Sequence, residues 1–250
     1  MFRSIILLSV VLSWLPATLR AQGSQGVITY EMKVNLHRNL PPGREDMKSM
    51  LPEFSTTRYA LTFSETQSLY KTLVDEEDDV ASFNGGNGRM MMMRRAMNQE
   101  IFTDQENQMV TARQEVMGKE YLIEDTLKVS PWKFGSETRT INGYVCRMAY
   151  YTDESRPDRK QEVTAWFTDK LRPFLGPERF NSLPGAVLAV DVNGGERVIV
   201  VKSVEVRELK KNEMKKPSSG TRVTGAEFRK LMQERMKEMR GQGGSVIIRN

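Results

Sequence analysis

The sequence predicts a mainly β protein, with a curved antiparallel sheet of about ten strands arranged as a half-barrel or a sandwich. Two observations lead to this fold class. Short segments along most of the chain alternate apolar and polar residues, which is the pattern of half-buried strands. Most neighbouring segments are joined by short turns such as Asn142-Gly143, and short turns favour antiparallel pairing. One short early helix and one C-terminal helix complete the prediction.

The first predicted strand, residues 26–36, shows the alternation clearly. Ile28 and Tyr30 fall on one side of it, whereas Glu31 falls on the other. In the strand after Asn142-Gly143, the same alternation places Tyr144, Cys146, Met148 and Tyr150 on one face. The strands predicted after the first are residues 57–63, 68–74, 100–103, 108–116, 119–124, 133–141, 144–151, 162–168, 186–192 and 197–206.

Two helices interrupt the strand pattern. Prolines near both ends of residues 41–52 bracket a short helix from about residue 44 to residue 51. The second helix, residues 225–240, begins at a capping box in which Thr224 and Glu227 each satisfy an unpaired backbone N–H. Its apolar stripe either packs as core or forms a movable lid over the sheet. The stripe consists of Phe228, Met232, Met236 and Met239.

The N-terminus predicts export. Residues 1–21 have a basic start, an apolar stretch and a small residue before Gln22, which is the pattern of a secretory signal peptide. No later segment is apolar enough to cross a bilayer. Cys146 is the only cysteine, which excludes an internal disulfide. The net charge is +5 at pH 7, but basic and acidic residues are interspersed, so nucleic acid is not an expected partner.

The mature chain divides into two parts. Residues 22–210 form one antiparallel β domain, from which residues 75–99 depart as a mobile excursion rich in acidic residues, glycine and methionine. Residues 211–250 contain a linker, the amphipathic helix and a tail. The tail, residues 243–250, forms either a last strand or a loose end.

The segment from residue 176 to residue 185 combines two prolines and two glycines with two apolar anchors. Proline fixes φ, and glycine accepts backbone angles that other residues avoid, so the segment is predicted to be an ordered corner that leads into a strand. Its structural residues are Gly176, Pro177, Phe180, Leu183, Pro184 and Gly185.

With these segments placed, the chain resembles the GLPGLI family of exported bacterial proteins. Ser182–Val187 corresponds to the hexapeptide that names the family, with Ser182 in place of the first glycine and Ala186-Val187 in place of Leu-Ile. Gly26–Glu31, Glu137–Cys146 and Trp166-Phe167 also support the likeness. The resemblance implies the envelope of a Gram-negative bacterium, in the periplasm or at the outer membrane. It also implies a curved half-barrel similar to lipoprotein carriers, and it brings no established enzymatic activity.

The residue inventory argues against catalysis. His37 is the only histidine, so a zinc site of the usual histidine-rich kind cannot be assembled. Cys146 lies on the apolar face of a strand, where a buried inert thiol is expected. We therefore expect no enzyme and no catalytic residue.

The chain has sixteen methionines, and their clustering suggests one alternative function. Thioethers are soft ligands that suit Cu(I), and methionines three residues apart reach one ion if the backbone is helical. The alternative is that these methionines pack in an adaptable core or lie in a mobile loop without binding a metal. The candidate Cu(I) ligands are His37, Met47, Met50, Met90, Met93 and Met97.

The sequence thus favours an exported, non-enzymatic binding protein of the cell envelope, with no cofactor and an unknown ligand. An outer-membrane or envelope protein is its candidate partner. The alternative is a methionine-based Cu(I) carrier. Less favoured are a carrier of lipids or other apolar ligands beneath the C-terminal helix, and an enzyme of unrecognised type.

Overall fold

The computed structural model describes residues 24–40, 43, 45–73, 99–116, 118–155 and 160–242. Within these ranges the chain forms twelve strands and one α-helix, together with the 3-10 helices His37–Asn39 and Glu45–Ser49. The strands are β1 Gly26–Asn35, β2 Phe54–Phe63, β3 Gln67–Leu73, β4 Gln99–Asp104, β5 Met109–Val116, β6 Lys119–Thr126, β7 Lys133–Ile141, β8 Tyr144–Asp153, β9 Gln161–Thr168, β10 Ala186–Val192, β11 Arg197–Val206 and β12 Thr221–Thr224; the helix is α1 Gly225–Gln242.

All twelve described strands belong to one sheet, in the order β12-β6-β5-β4-β3-β2-β1-β11-β10-β9-β8-β7. The predicted mainly β class is confirmed. Every neighbouring pair is antiparallel except β12 and β6, which run parallel, so the sheet is mixed. The sheet is open, with β12 at one edge and β7 at the other. The extra strand is the four-residue β12, too short for its alternation to be visible in the sequence.

Short turns set the register of the predicted hairpins. Asn142 and Gly143 have φ of 48° and 80°, as a two-residue hairpin turn of type I′ requires, and they place Ile141 opposite Tyr144. Of the four residues predicted to share one face of β8, Cys146 is fully buried but Tyr150 is exposed. Ala149 and Tyr151, on either side of Tyr150, are buried. β7 has a register shift opposite this part of β8, and the alternation of burial along β8 changes phase there.

The main core lies on one face of the sheet, which we call the inner face. It is built from β1 residues such as Ile28 and Tyr30 together with inward residues of β2, β3 and β8–β11. Residues 169–185, between β9 and β10, fold over this face. They contribute four apolar side chains to the core cluster, and the hydroxyl of Tyr30 donates a 2.7 Å hydrogen bond to the carbonyl oxygen of Val187 just beyond them. The four are Leu171, Leu175, Phe180 and Leu183.

The opposite, outer face is covered by residues 207–220, which we call the strap. β11 and β12 are separated by six strands in the sheet order, so the chain must cross between them. The strap contacts Leu69 on β3, and this side chain is buried although its neighbour Tyr70 belongs to the inner core. Pro217 of the strap is itself buried. The residues predicted as a linker therefore pack on the sheet.

Helix α1 lies at the β6 edge of the sheet. The Oγ1 of Thr224 accepts a 3.2 Å hydrogen bond from the backbone N–H of Glu227, whose carboxylate accepts one of 2.7 Å from the N–H of Thr224. The predicted capping box is thus present. Phe228 packs edge-to-face on Tyr121 of β6, with ring centroids 5.6 Å apart. Within the described part of the chain, no helix is long and apolar enough to cross a membrane.

The early helix is shorter than predicted and has 3-10 rather than α geometry. It spans Glu45–Ser49, with none of its residues buried, and Met50 directly after it is 75% exposed. A single turn with no buried face has no packing to extend it into an α-helix.

Candidate functional site

The predicted corner is a tightly packed structural element. Phe180 and Leu183 are fully buried in the core. A Cβ on Gly176 would overlap the carbonyl oxygen of Phe180, and a Cβ on Gly185 would overlap that of Thr168. The backbone N–H of Val187 donates a 2.8 Å hydrogen bond to the carbonyl oxygen of Leu175, which ties the corner to β10.

The middle of the corner, Glu178-Arg179, faces an open cleft of about 460 Å³ on the inner face. The other wall of the cleft comes from strands β4, β9 and β11 and from the β10–β11 turn. Three apolar side chains, Val34, Ile101 and Val192, form part of its lining. The polar lining includes Gln99, Gln161, Glu178, Arg179, Glu196 and Arg197.

Glu178 and Arg197 form the central ion pair of the cleft. The Nη1 of Arg197 donates to both carboxylate oxygens of Glu178, at 3.0 and 2.9 Å. Both side chains are largely buried, with exposed fractions of 25% for Arg197 and 17% for Glu178. Glu178 also has a φ of 51°, in the left-handed region that a residue with a Cβ rarely occupies. Such strain persists only where the surrounding structure holds it, and it is concentrated at functional sites.

Arg179 extends the polar wall toward β8 and β9. Its Nη2 lies 2.7 Å from the Oδ2 of Asp153 and donates to the Oε1 of Gln161 at 3.4 Å. The guanidinium groups of Arg179 and Arg197 also lie 5.3 and 5.7 Å from the ring centre of Phe180. The buried ring of the corner therefore supports both arginines of the cleft through cation–π contacts.

Two stacked tyrosines lie close to the cleft. The rings of Tyr59 and Tyr70 are 4.9 Å apart and nearly parallel. Burial raises the pKa of Tyr70, and the negative charge of Glu178 raises that pKa further, so the phenol stays protonated. Within the described part of the chain, the Tyr70 hydroxyl has no hydrogen-bond partner. A buried hydroxyl without a partner is uncommon in folded proteins.

The structure describes three of the six candidate copper ligands. His37 Nε2 lies 2.9 Å from the carbonyl oxygen of Leu51, so the ring sits beside the turn that holds Met47 and Met50. Met47 is half-buried and Met50 is exposed. The other three, Met90, Met93 and Met97, lie outside the described residues. Among the residues that the structure does describe, no three His, Cys, Asp or Glu side chains are grouped as a metal site.

Cys146 is fully buried in the core. Burial raises the pKa of its thiol to about 11, so the reactive thiolate is disfavoured at neutral pH. Its sulfur lies 3.5 Å from the carbonyl oxygen of Tyr144 on the same strand. These features fit the packing role predicted for this residue.

The corner could be predicted from the sequence, but the cleft could not. Phe180 and Leu183 were expected as anchors, whereas Glu178 and Arg179, directly before Phe180, were given no role. These two are the only charged residues in the corner, and that was the available signal. Gln161 and Arg197, at the starts of two distant strands, carry no such signal.

The chain is a mostly β protein built on one open, mixed sheet, with a polar cleft on its inner face. No protein-family model matches the chain, and no curated protein matches it. Among solved structures the chain is similar to PNGF-II. The TM-score is 0.53 for the C2 crystal form, at 15% identity over 84% of this chain and 32% of PNGF-II. For the P21 form the TM-score is 0.52, at 15% identity over 84% and 33%. The chain spans about a third of the PNGF-II chain, and the likeness concerns the fold alone.

Proposed function

We propose that this protein is an exported, non-enzymatic binding protein of the cell envelope that holds its ligand in the inner-face cleft. The observation that carries the proposal is the strained Glu178, held in an ion pair with Arg197 at the centre of a cleft of about 460 Å³. That volume lies within the range typical of small-molecule sites. The strained residue lies in the turn that the Phe180 N–H closes onto the carbonyl oxygen of Pro177, at the edge of the cleft, and strain in such an ordered segment supports a binding role.

The lining indicates the kind of ligand. Two glutamates and two arginines balance in charge, so the cleft does not select an ion of one sign. The amides of Gln99 and Gln161 offer both donors and acceptors, while Val34 and Ile101 accept apolar surface. A neutral or zwitterionic polar molecule with some apolar surface fits this combination.

The cellular setting rests on the sequence. The signal-peptide pattern of residues 1–21 and the resemblance to the GLPGLI family support export to the periplasm or to the outer membrane of a Gram-negative cell. An envelope or outer-membrane protein is the proposed partner, and nucleic acid is not. Edman sequencing of the protein recovered from cells should then begin at Gln22. A mature protein that still begins at Met1 would contradict export through this signal.

The binding proposal is tested by native mass spectrometry of the protein purified from its own cell envelope, without denaturation. We expect an added ligand mass on the parent, and its loss from the double variant Glu178→Gln/Arg197→Gln. Glu162→Gln is the matched control, because Glu162 lies on β9 but is exposed. Loss of the added mass from the control, or retention by the double variant, would contradict binding in this cleft.

One observation favours the Cu(I) alternative: His37 lies beside the Met47–Leu51 turn. Titration with Cu(I) against a competing chelator tests it. Met47→Leu/Met50→Leu and Met90→Leu/Met93→Leu/Met97→Leu separate the two methionine groups. If both variants bind Cu(I) as tightly as the parent does, methionine-based binding is excluded.

A further inference from the structure

A second pocket, of about 220 Å³, lies on the outer face, beneath the strap. Its floor is formed by Leu69 and Lys71 of β3, Glu100 of β4 and Arg113 of β5. Residues 212–219 of the strap provide the opposite wall. Because neighbouring residues of a strand point to opposite faces, this pocket is separated by the sheet from the inner-face cleft, which Ile101 lines.

The charges around this outer pocket do not balance. Four cationic side chains line it, against two carboxylates, which leaves two positive charges in excess. The carboxylates already have partners. Glu100 Oε1 lies 2.9 Å from Arg113 Nη2, and Glu213 Oε2 accepts a 2.9 Å hydrogen bond from Arg207 Nη1. The four cations are Lys71, Arg113, Lys215 and Lys216.

Three of these cations have no ionic partner in the part of the chain that the structure describes. Within the described residues, the ammonium groups of Lys71, Lys215 and Lys216 form no ion pair. Lys71 is directly opposite Glu100 in the β3–β4 register, but the Glu100 carboxylate is engaged by Arg113. Like charges brought together around one pocket repel one another unless an anion lies between them.

The backbone of the strap is anchored on both sides of Lys215 and Lys216. Glu213 is bound by both terminal nitrogens of Arg207, and its Oε2 accepts a 2.8 Å hydrogen bond from the backbone N–H of Lys210. At the far end, a Cβ on Gly220 would lie only 3.0 Å from backbone atoms of Tyr121 and Leu122, so the strap packs directly on β6. An anchored backbone lowers the part of the ordering cost that binding would otherwise impose on this segment.

We propose that the outer pocket binds a phosphate-class oxyanion, either free phosphate or the phosphomonoester group of a lipid. A dianion matches the two excess positive charges. Ammonium groups are compact, strongly hydrated charges that commonly bind phosphate. The hydroxyl of Ser218 and the amide of Asn212 line the same pocket and add neutral hydrogen-bond donors, whereas the Ser219 hydroxyl already donates to Glu120.

Isothermal titration of the full mature chain with inorganic phosphate at about 0.15 M ionic strength, where the Debye length is about 8 Å, tests the proposal. We expect saturable binding, and a weakening of about tenfold or more in the double variant Lys215→Gln/Lys216→Gln, because charge-assisted hydrogen bonds are lost. Lys210→Gln/Lys211→Gln is the matched control: it removes the same charge from the same strap outside the pocket lining. The control should change the affinity by less than about twofold, the size of a screened long-range effect.

Flotation with phosphatidylcholine vesicles, with and without phosphatidic acid, distinguishes the two sources. Flotation with phosphatidic acid vesicles that is lost in Lys215→Gln/Lys216→Gln assigns the pocket to a lipid headgroup. Phosphate binding without flotation assigns it to the free anion. Equal weakening of phosphate binding and flotation by the pocket and control variants would overturn the site, because it would show only a general effect of positive charge. Absence of both phosphate binding and flotation in the parent would overturn it as well.

Discussion

Replacing Gly185 with alanine adds one methyl group at a crowded part of the corner. The new Cβ would overlap the backbone carbonyl of Thr168 and approach the ring of Phe167 to 3.1 Å. Phe167 is completely buried and Thr168 is 1% exposed, so neither residue can move into solvent. The corner or the end of β9 must therefore shift, although the substitution adds only apolar surface.

Overpacking of a well-packed core costs about 1–3 kcal/mol, and a clash with backbone belongs at the upper end of that range. For a chain of this size, each kcal/mol lowers the melting temperature by about 2–4 °C. We therefore expect Gly185→Ala to be about 2–3 kcal/mol less stable than the parent and to melt roughly 4–12 °C lower.

Urea unfolding followed by tryptophan fluorescence, together with thermal melts, measures both quantities. Gly135→Ala is the matched control, because the nearest atom to its Cβ is the terminal methyl group of the flexible Met148 side chain. We expect that control to lose less than about 1 kcal/mol. If Gly185→Ala is as stable as the parent, or if both variants lose the same stability, the corner is not the packed element described above.

Three further predictions concern the strap, the helix and a buried cation. The hydrogen bonds from Arg207 lower the pKa of the Glu213 carboxyl to about 2. The ionised carboxylate therefore stabilises the folded chain fully above the pKa that a glutamate has in the unfolded chain, and this stabilisation is lost as pH falls toward 2. In urea melts from pH 7 to pH 2, Glu213→Gln should therefore be less stable than the parent at neutral pH and converge with it in acid. Thr224→Ala removes the cap of α1 and should weaken the helix by about 1 kcal/mol, measured by circular dichroism during thermal melts; unchanged helicity would contradict the cap. Arg172 is buried without a carboxylate partner in the described part of the chain, so Arg172→Met should stay within about 1 kcal/mol of the parent in urea unfolding; a loss above about 3 kcal/mol would show that its hydrogen bonds dominate.

The elements that could be predicted from the sequence are those fixed by local chemistry. Asn142-Gly143 determines its own turn, because few residues accept positive φ at two successive positions. Thr224 and Glu227 likewise make their cap across three residues. The buried positions of β1 follow from alternation alone. In each case the sequence signal and the physical cause lie within a few residues of each other.

The strap could not be predicted in the same way. Residues 211–220 are polar and contain Pro217 and Gly220, a composition that is typical of a linker. They are held by distant parts of the chain: Gly220 packs against the backbone of β6, and Ser219 donates a 3.2 Å hydrogen bond to Glu120. The crossing itself is required by the positions of β11 and β12 in the sheet, and those positions are set by pairing across the whole chain.

The two proposed binding surfaces also depend on strand register, which explains why neither was visible in the sequence. Ile101 of β4 lines the inner cleft, whereas the adjacent Glu100 lines the outer pocket, and on β3 Lys71 points outward beside the buried Tyr70. A shift of one residue in β3 would place Lys71 in the aromatic core, and the same shift in β4 would turn Glu100 to the inner face. Alternation indicates that two faces exist, but the corner of residues 176–185 and the strap decide which ligand chemistry each face presents. Both segments contact the sheet at residues far away in the sequence. The residues that line the two proposed sites can therefore be identified only from the folded chain.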